Sequence, residues 1–257
     1  MSWFEHNTSR INYEDCGDGA PVLLLPGFAG SIEEMTPLRE ALREAGYRVI
    51  AADLPGSGRS GPQPRAYTAT YFADDARTFA ALLAHLATGP AHLVGFSDGG
   101  EVSLLMAAKM PGSARSITTW GSAGQLNDPE GRLRHATYNL IDDPIPPLQG
   151  FRAYLIATYG EANARAMTQS VVGAFNDIIA AGGDVSLSQA HNIACPALLI
   201  TGEHDPFAPP PLLAQLAARI PAAETREVQA AGHDLHHTHA PWLTETILSF
   251  LSKQDGK

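Results

Sequence analysis

Hydrophobic positions in this chain fall into short near-continuous runs, separated by stretches in which apolar residues recur every three or four positions. Pro21-Val22-Leu23-Leu24-Leu25 is apolar throughout, as expected of a strand covered on both faces. Tyr47 to Asp53, Ala91 to Val94, Ser116 to Trp120 and Pro196 to Gly202 read in the same way. Between them, a helix is predicted to start near Ser31 and end at Gly46, because Ser31-Ile32-Glu33-Glu34 offers a cap followed by acidic first-turn residues. A second is predicted from about Thr70 to Leu86, with Phe72, Phe79, Leu82, Leu83 and Leu86 along its apolar side. Others follow over Val102–Lys109, near Pro211–Arg219 and near Pro241–Lys253. Residues 3–14 predict an opening strand or hairpin, and Thr225–Val228 a short late strand. Strands alternating with helices at this spacing predict an α/β fold with a mostly parallel sheet and helices on both faces.

The alternation lapses between about Ser122 and Asn192. That stretch has helical patterns and the group Pro144-Ile145-Pro146-Pro147, but no convincing strand. It is expected to form a helical cap inserted over the C-terminal edge of the sheet. The expected organisation is a core of residues 1–121 and 193–257 with a cap of residues 122–192.

Bulk properties narrow the class. A chain of 257 residues can bury a substantial core without a second domain. Seventeen basic against 27 acidic residues give a net charge of −10, spread along the chain, which argues against nucleic acid or an anionic membrane as partner. Cys16 and Cys195 are far apart and make neither a metal spacing nor a disulfide framework. The start of the chain lacks a basic, then apolar, leader, and no run approaches the ~18 apolar residues of a membrane span. A cytoplasmic protein is therefore expected, a monomer or small homo-oligomer, with no cofactor and no metal.

Candidate chemistry sits where the run ending at Val94 meets Gly95-Phe96-Ser97-Asp98-Gly99 and then a helix of small and apolar residues. Strand, sharp turn and helix are the context in which Gly-x-Ser-x-Gly forms a nucleophile elbow. A serine hydroxyl needs a base, and the base needs a third group to hold its tautomer. In this chain order the acid comes first and the histidine second. Asp205, in Gly202-Glu203-His204-Asp205-Pro206, follows an apolar strand; His233, in Ala231-Gly232-His233-Asp234, follows the last one. The separation leaves room for one helix and one strand. Glu203 and Asp234 are spare acids. His236, His237 and His239 crowd the same segment, where His236 and His237 either line a pocket or cover the start of the last helix; no familiar zinc spacing is completed. The oxyanion site is expected from the backbone N–H groups of Asp98 and Phe28, with Gly27 allowing a close approach. Phe28, Phe96, Trp120, Leu126 and Tyr138 either line an acyl pocket or belong to the core.

These motifs resemble the α/β-hydrolase family, and within it the valacyclovir hydrolase, or biphenyl hydrolase-like, branch. Leu-Leu-Leu-Pro-Gly at 23–27, Gly-Phe-Ser-Asp-Gly-Gly at 95–100, Trp120-Gly121, Gly-Glu-His-Asp-Pro at 202–206 and Gly-His-Asp-Leu-His at 232–236 carry the resemblance, which runs nearly the whole chain and is loose in the expected cap. Where many such enzymes have His-Gly, this chain has Pro26-Gly27; a backbone donor survives that change. The resemblance implies that Asp98 binds the α-amino group of amino-acid esters. The opposing reading is that Asp98 turns aside and hydrogen-bonds locally at the helix start. The function expected is a serine hydrolase acting on a small-molecule carboxylic ester. Lactone or carbon–carbon bond hydrolysis by the same triad is the enzymatic alternative, and a non-catalytic small-ligand binder the alternative of another class.

Overall fold

The computed structural model describes residues 2–256; Met1 and Lys257, the outer limits of the expected core, lie outside them. The chain opens with a hairpin, β1 (Ser2–His6) and β2 (Ser9–Cys16). It continues through β3 (Pro21–Leu25), α1 (Thr36–Glu44), β4 (Arg48–Ala52), α2 (Tyr71–His85), β5 (Ala91–Phe96), α3 (Asp98–Lys109) and β6 (Ala114–Trp120). After a helical stretch come β7 (Ala197–Gly202), α7 (Pro210–Ala217), β8 (Ala223–Val228), a one-turn helix at Leu235–Thr238 and the final helix at Ala240–Gln254. The eight strands make one sheet in the order β1-β2-β4-β3-β5-β6-β7-β8. Only β1 with β2 and β2 with β4 run antiparallel; the other pairs are parallel.

Every residue of β3, β5 and β7 is buried, which is why these strands read as solid apolar runs. Alternate side chains serve opposite faces, as the period of a strand requires. Leu23 and Leu25 pack with Phe79 and Leu82 of α2 and Val102 of α3, while Val22 and Leu24 pack with Leu38 and Leu42 of α1 and Ile247 and Leu251 of the last helix. One prediction is corrected. The helix expected from Ser31 starts at Thr36, with Pro37 in its first turn, and residues 31–36 form successive tight turns. Pro37 has no N–H for the Glu33 carbonyl and is tolerated only in a helix's first turn, so the helix starts just before it, while the Ile32 N–H donates to buried Asp53 Oδ1 (2.8 Å).

Between β6 and β7 lie α4 (Arg132–Tyr138), α5 (Gln149–Tyr159) and α6 (Glu161–Ala180), with 3-10 turns at Pro146–Leu148 and Leu187–Asn192. Leu140, Ile141, Leu155, Tyr159 and Met167 of this stretch cluster around Ala29, in the loop after β3. Val171, Val172, Ala174 and Ile178 of α6 join the same core as α2 and α3, so the segment is continuous with the main core on that side.

Glu101 of α3 ties both ends of this stretch to that helix. Its Oε1 accepts the N–H groups of Ala123 (3.0 Å) and Gly124 (2.7 Å), and its Oε2 accepts the Ser186 hydroxyl (3.1 Å). A buried carboxylate with three donors satisfies groups that would otherwise be stranded. Glu101→Ala is expected to lower the unfolding free energy by about 3 kcal/mol, measured by urea denaturation. A loss below about 0.5 kcal/mol would show that water replaces the side chain without cost.

Candidate active site

The site is built where β5 turns into α3. Ser97 holds φ 50° and ψ −115°, a conformation that L residues rarely adopt. Its N–H is tied to the Trp120 carbonyl (2.9 Å), and its own carbonyl accepts Gly100 N–H (2.9 Å), Glu101 N–H (3.0 Å) and the Ser122 hydroxyl (2.8 Å). The strained turn is thus held from both sides. A Cβ on Gly99 would collide with the Pro26 carbonyl, and one on Gly27 with the Phe96 ring and Ser97 Cβ, so the loop after β3 sits directly on the elbow.

Asp205 and His233 arrive from the ends of β7 and β8, in loops zipped together by Glu203 N–H to Val228 C=O (2.9 Å) and His204 N–H to Ala231 C=O (2.8 Å). His233 Nε2 lies 3.1 Å from Ser97 Oγ, and His233 Nδ1 lies 2.9 Å from both carboxylate oxygens of Asp205. Asp205 is only 2% exposed and also accepts the N–H groups of Phe207 (2.8 Å) and Ala208 (3.0 Å) on Oδ1. Burial pushes its carboxyl up, but the His233 hydrogen bond and charge and these two N–H donors outweigh it and hold it below the usual carboxylate range. The carboxylate therefore assigns the proton to His233 Nδ1 and leaves Nε2 free to accept from Ser97. Of the spare acids, Glu203 accepts the Ala230 N–H (2.8 Å) and Asp234 is exposed, so neither reaches His233.

Asp98 follows the nucleophile and is buried. Among the described residues only the Tyr71 hydroxyl hydrogen-bonds its carboxylate, at Oδ2 (2.9 Å). Burial pushes this carboxyl up to about 7, against the lowering effect of the Tyr71 bond. Beneath it, Asp75 pairs with Arg65 (2.6 and 2.8 Å), whose guanidinium also lies over the rings of Tyr67 and Tyr71. The local alternative at the helix start is not what the carboxylate does: it reaches across to α2. Tyr71 escapes sequence reasoning because its position fits an apolar helix face, and nothing in the spacing marks the hydroxyl.

Of the aromatic residues expected to line the acyl pocket or belong to the core, Trp120 is core, which corrects its assignment to substrate binding. Trp120 is fully buried, stacked on Phe96, and its indole N–H donates to His236 Nδ1 (3.3 Å). It belongs to the core beneath the site. Phe96, 7% exposed, packs against both His233 and His236 and so braces the catalytic-type imidazole. Phe28 is half-buried near Tyr67, Leu126 packs at the edge of the core, and Tyr138 is exposed on α4.

Glu34, His236 and His237 bring one ligand-type atom each within 4.8 Å of one another. Burial, then the charges of Asp234 and Asp53, pushes Glu34 up to about 8, and burial pushes His236 down to about 3. Because His236 Nδ1 accepts the Trp120 N–H, its Nε2 carries the proton, whereas a metal ligand needs that nitrogen bare. The group is therefore poorly suited to hold a cation. No helix among the described residues is long and apolar enough to cross a membrane.

The chain is similar to several known proteins. The protein from Homo sapiens named Serine hydrolase BPHL is 32% identical over 206 residues, covering 79% of this chain and 69% of that protein. The 2-hydroxy-6-oxononadienedioate/2-hydroxy-6-oxononatrienedioate hydrolase of Burkholderia vietnamiensis is 27% identical, covering 95% of this chain and 91% of its own. Among solved structures, a thermophilic esterase from Thermogutta terrifontis superposes with a TM-score of 0.73 at 24% identity, covering 96% of this chain and 94% of the other. Residues 20–148 match the family model described as the alpha/beta hydrolase fold, and that match spans β3, the elbow and β6. Taken with the eight-stranded sheet and the serine at its elbow, these similarities make the chain a member of the α/β-hydrolase family.

Proposed function

We propose that this protein is a serine hydrolase that cleaves carboxylic esters through an acyl-enzyme and prefers esters of α-amino acids. The observation that carries the reading is the relay Ser97 Oγ–His233 Nε2 (3.1 Å) and His233 Nδ1–Asp205 (2.9 Å) at a strained elbow. The similarity to the protein named Serine hydrolase BPHL supports it.

In the proposed reaction, Ser97 Oγ attacks the ester carbonyl while His233 Nε2 takes its proton. Asp205 stabilises the resulting imidazolium. The negative tetrahedral oxygen is received by the N–H groups of Phe28 and Asp98, neither of which has a hydrogen-bond partner among the described residues. The C–O bond to the alcohol then breaks, and His233 returns the proton to the departing oxygen. Water attacks the acyl-enzyme by the same sequence in reverse roles. In this reading the helical segment 122–192 is the cap that sets the shape of the acyl pocket. A fluorophosphonate should label Ser97 stoichiometrically, and 4-nitrophenyl esters should be turned over; an unlabelled Ser97 would refute the serine reading.

The amino preference rests on Asp98, whose carboxylate is buried beside the elbow and offers a charge-assisted contact of about 1.5–3 kcal/mol to an ammonium. The ratio of kcat/KM for an amino ester to that for its matched ester lacking the amino group is expected to fall roughly 10- to 150-fold in Asp98→Asn. Because the carboxyl is pushed up to about 7, it is charged only above that range, so the ratio should rise with pH through about 7 until the substrate ammonium itself loses its proton. An unchanged ratio in Asp98→Asn would remove the ammonium anchor. If Ser97 labels but neither ester turns over, a 2-hydroxy-6-oxo dienedioate, the substrate in the name of the Burkholderia relative, becomes the next substrate to assay.

A further inference from the structure

The turn after β3 is built in an unfavourable conformation and held there from outside. It is closed by the Gly30 N–H on the Gly27 carbonyl (3.0 Å), with Phe28 and Ala29 at its centre. Ala29, a residue with a side chain, sits at φ 57°, in the left-handed region that favours glycine. Besides the turn's own Gly30–Gly27 bond, two other elements hold Ala29 in this conformation. The Ala29 N–H donates to Ser57 Oγ (3.2 Å) in the loop after β4, and the Ala29 carbonyl accepts two tyrosine hydroxyls from α5, Tyr159 (2.6 Å) and Tyr154 (3.1 Å).

Tyr159 is the central member. It is 7% exposed, its hydroxyl proton goes to Ala29, and its oxygen accepts the Gly58 N–H (2.7 Å). One phenol therefore joins three segments: the turn beside Ser97, the loop after β4 and the helical stretch between β6 and β7. Both hydrogen-bonding capacities of the hydroxyl are used, and both partners are backbone groups, so the bonds read main-chain orientation and not side-chain identity.

We propose that Tyr159 is a positioning residue for the oxyanion site: it holds the 27–30 turn in its strained form, and so keeps the Phe28 N–H presented beside Ser97. The proposal rests on the serine hydrolase reading above. It gives the helical segment a role in the chemistry itself, since a residue of α5 controls a donor that acts only on the tetrahedral intermediate. Losing Tyr159 should therefore weaken transition-state stabilisation and leave ground-state binding of the ester nearly unchanged.

The test compares wild type with Tyr159→Phe, which keeps the ring and removes only the hydroxyl. Active sites are counted by fluorophosphonate labelling, so that any misfolded fraction drops out. The variant is expected to lose roughly 10-fold or more in kcat per labelled site on a 4-nitrophenyl ester, with KM changed less than about threefold. Affinity for an alkyl boronic acid, whose tetrahedral adduct places an oxygen in the oxyanion site, should fall by the same factor. Unchanged kcat per site and unchanged boronate affinity, with wild type labelling normally, would overturn the clamp while leaving the serine reading intact. Failure of wild type to label would overturn both. If Tyr159→Phe does not fold, Ser57→Ala and Tyr154→Phe release the same Ala29 peptide groups one at a time: a matched loss in kcat and boronate affinity supports the clamp, and no loss in either variant overturns it.

Discussion

Ser97→Ala is expected to lower kcat by about 10⁶-fold and leave the fold intact. The size of the effect follows from the relay. Without Oγ there is no nucleophile for His233 Nε2 to activate, and water bound in its place is neither held by the strained turn nor aimed at the carbonyl. The turn should survive, because its geometry is set by backbone contacts: the N–H to Trp120 and the carbonyl to Gly100, Glu101 and Ser122. The Ser97 hydroxyl itself bonds only His233 among the described residues. A Tm close to wild type, together with kcat at background, is the expected pair of results. Retention of more than about 1% of kcat in rigorously purified protein would place the nucleophile elsewhere.

Asp205→Asn comes second, with an expected loss of about 10⁴-fold in kcat. The cause is a tautomer, and it can be worked out from the hydrogen bonds present. Asp205 Oδ1 accepts two backbone N–H groups, from Phe207 and Ala208, which an asparagine can keep only by placing its carbonyl oxygen there. Its amide N–H₂ then faces His233 Nδ1, which must become an acceptor. The imidazole proton moves to Nε2, opposite Ser97 Oγ, and the base is lost with scarcely any atom displaced. A variant within tenfold of wild type would mean that His233 is oriented by something other than this carboxylate.

Both predictions concern groups that were legible from local sequence, and the reason is physical. Gly-x-Ser-x-Gly reports the steric demands of one turn, and Gly-Glu-His-Asp-Pro follows β7, a strand that announces itself by burial; Gly-His-Asp follows β8, an edge strand with no fully buried residue, and is marked by its place in the order of elements. Such signals are short-range, so residues within a few positions of each other carry them. The strand–helix alternation is local in the same sense: a strand buried on both faces must be apolar throughout, whichever elements cover it. The helix expected at Ser31 shows where this fails. Ser31-Ile32-Glu33-Glu34 carries a cap signal, but Pro37 six positions on cannot sit inside a helix, and the turns between them are held by the Ile32 N–H on Asp53.

The residues that tune the site lie far from it in sequence and leave no local trace. Tyr71 reaches Asp98 across 27 positions, Ser186 reaches Glu101 across 85, and Tyr159 reaches Ala29 across 130. Each is a tyrosine or serine whose neighbours would suit an ordinary helix face or turn. For Trp120 the sequence leaves pocket lining and core both open, and only the packing of Phe96 and His236 shows it to be core.

The amino-acid sequence by itself determined the α/β alternation, the elbow and the order serine, acid, histidine, because backbone sterics and strand burial act over a few residues. Tertiary structure alone decided the partner of the Asp98 carboxylate, the tautomer of His236 and the anchors of the turn beside Ser97, because a hydrogen bond to a buried group is set by which distant segment the fold delivers within about 3 Å.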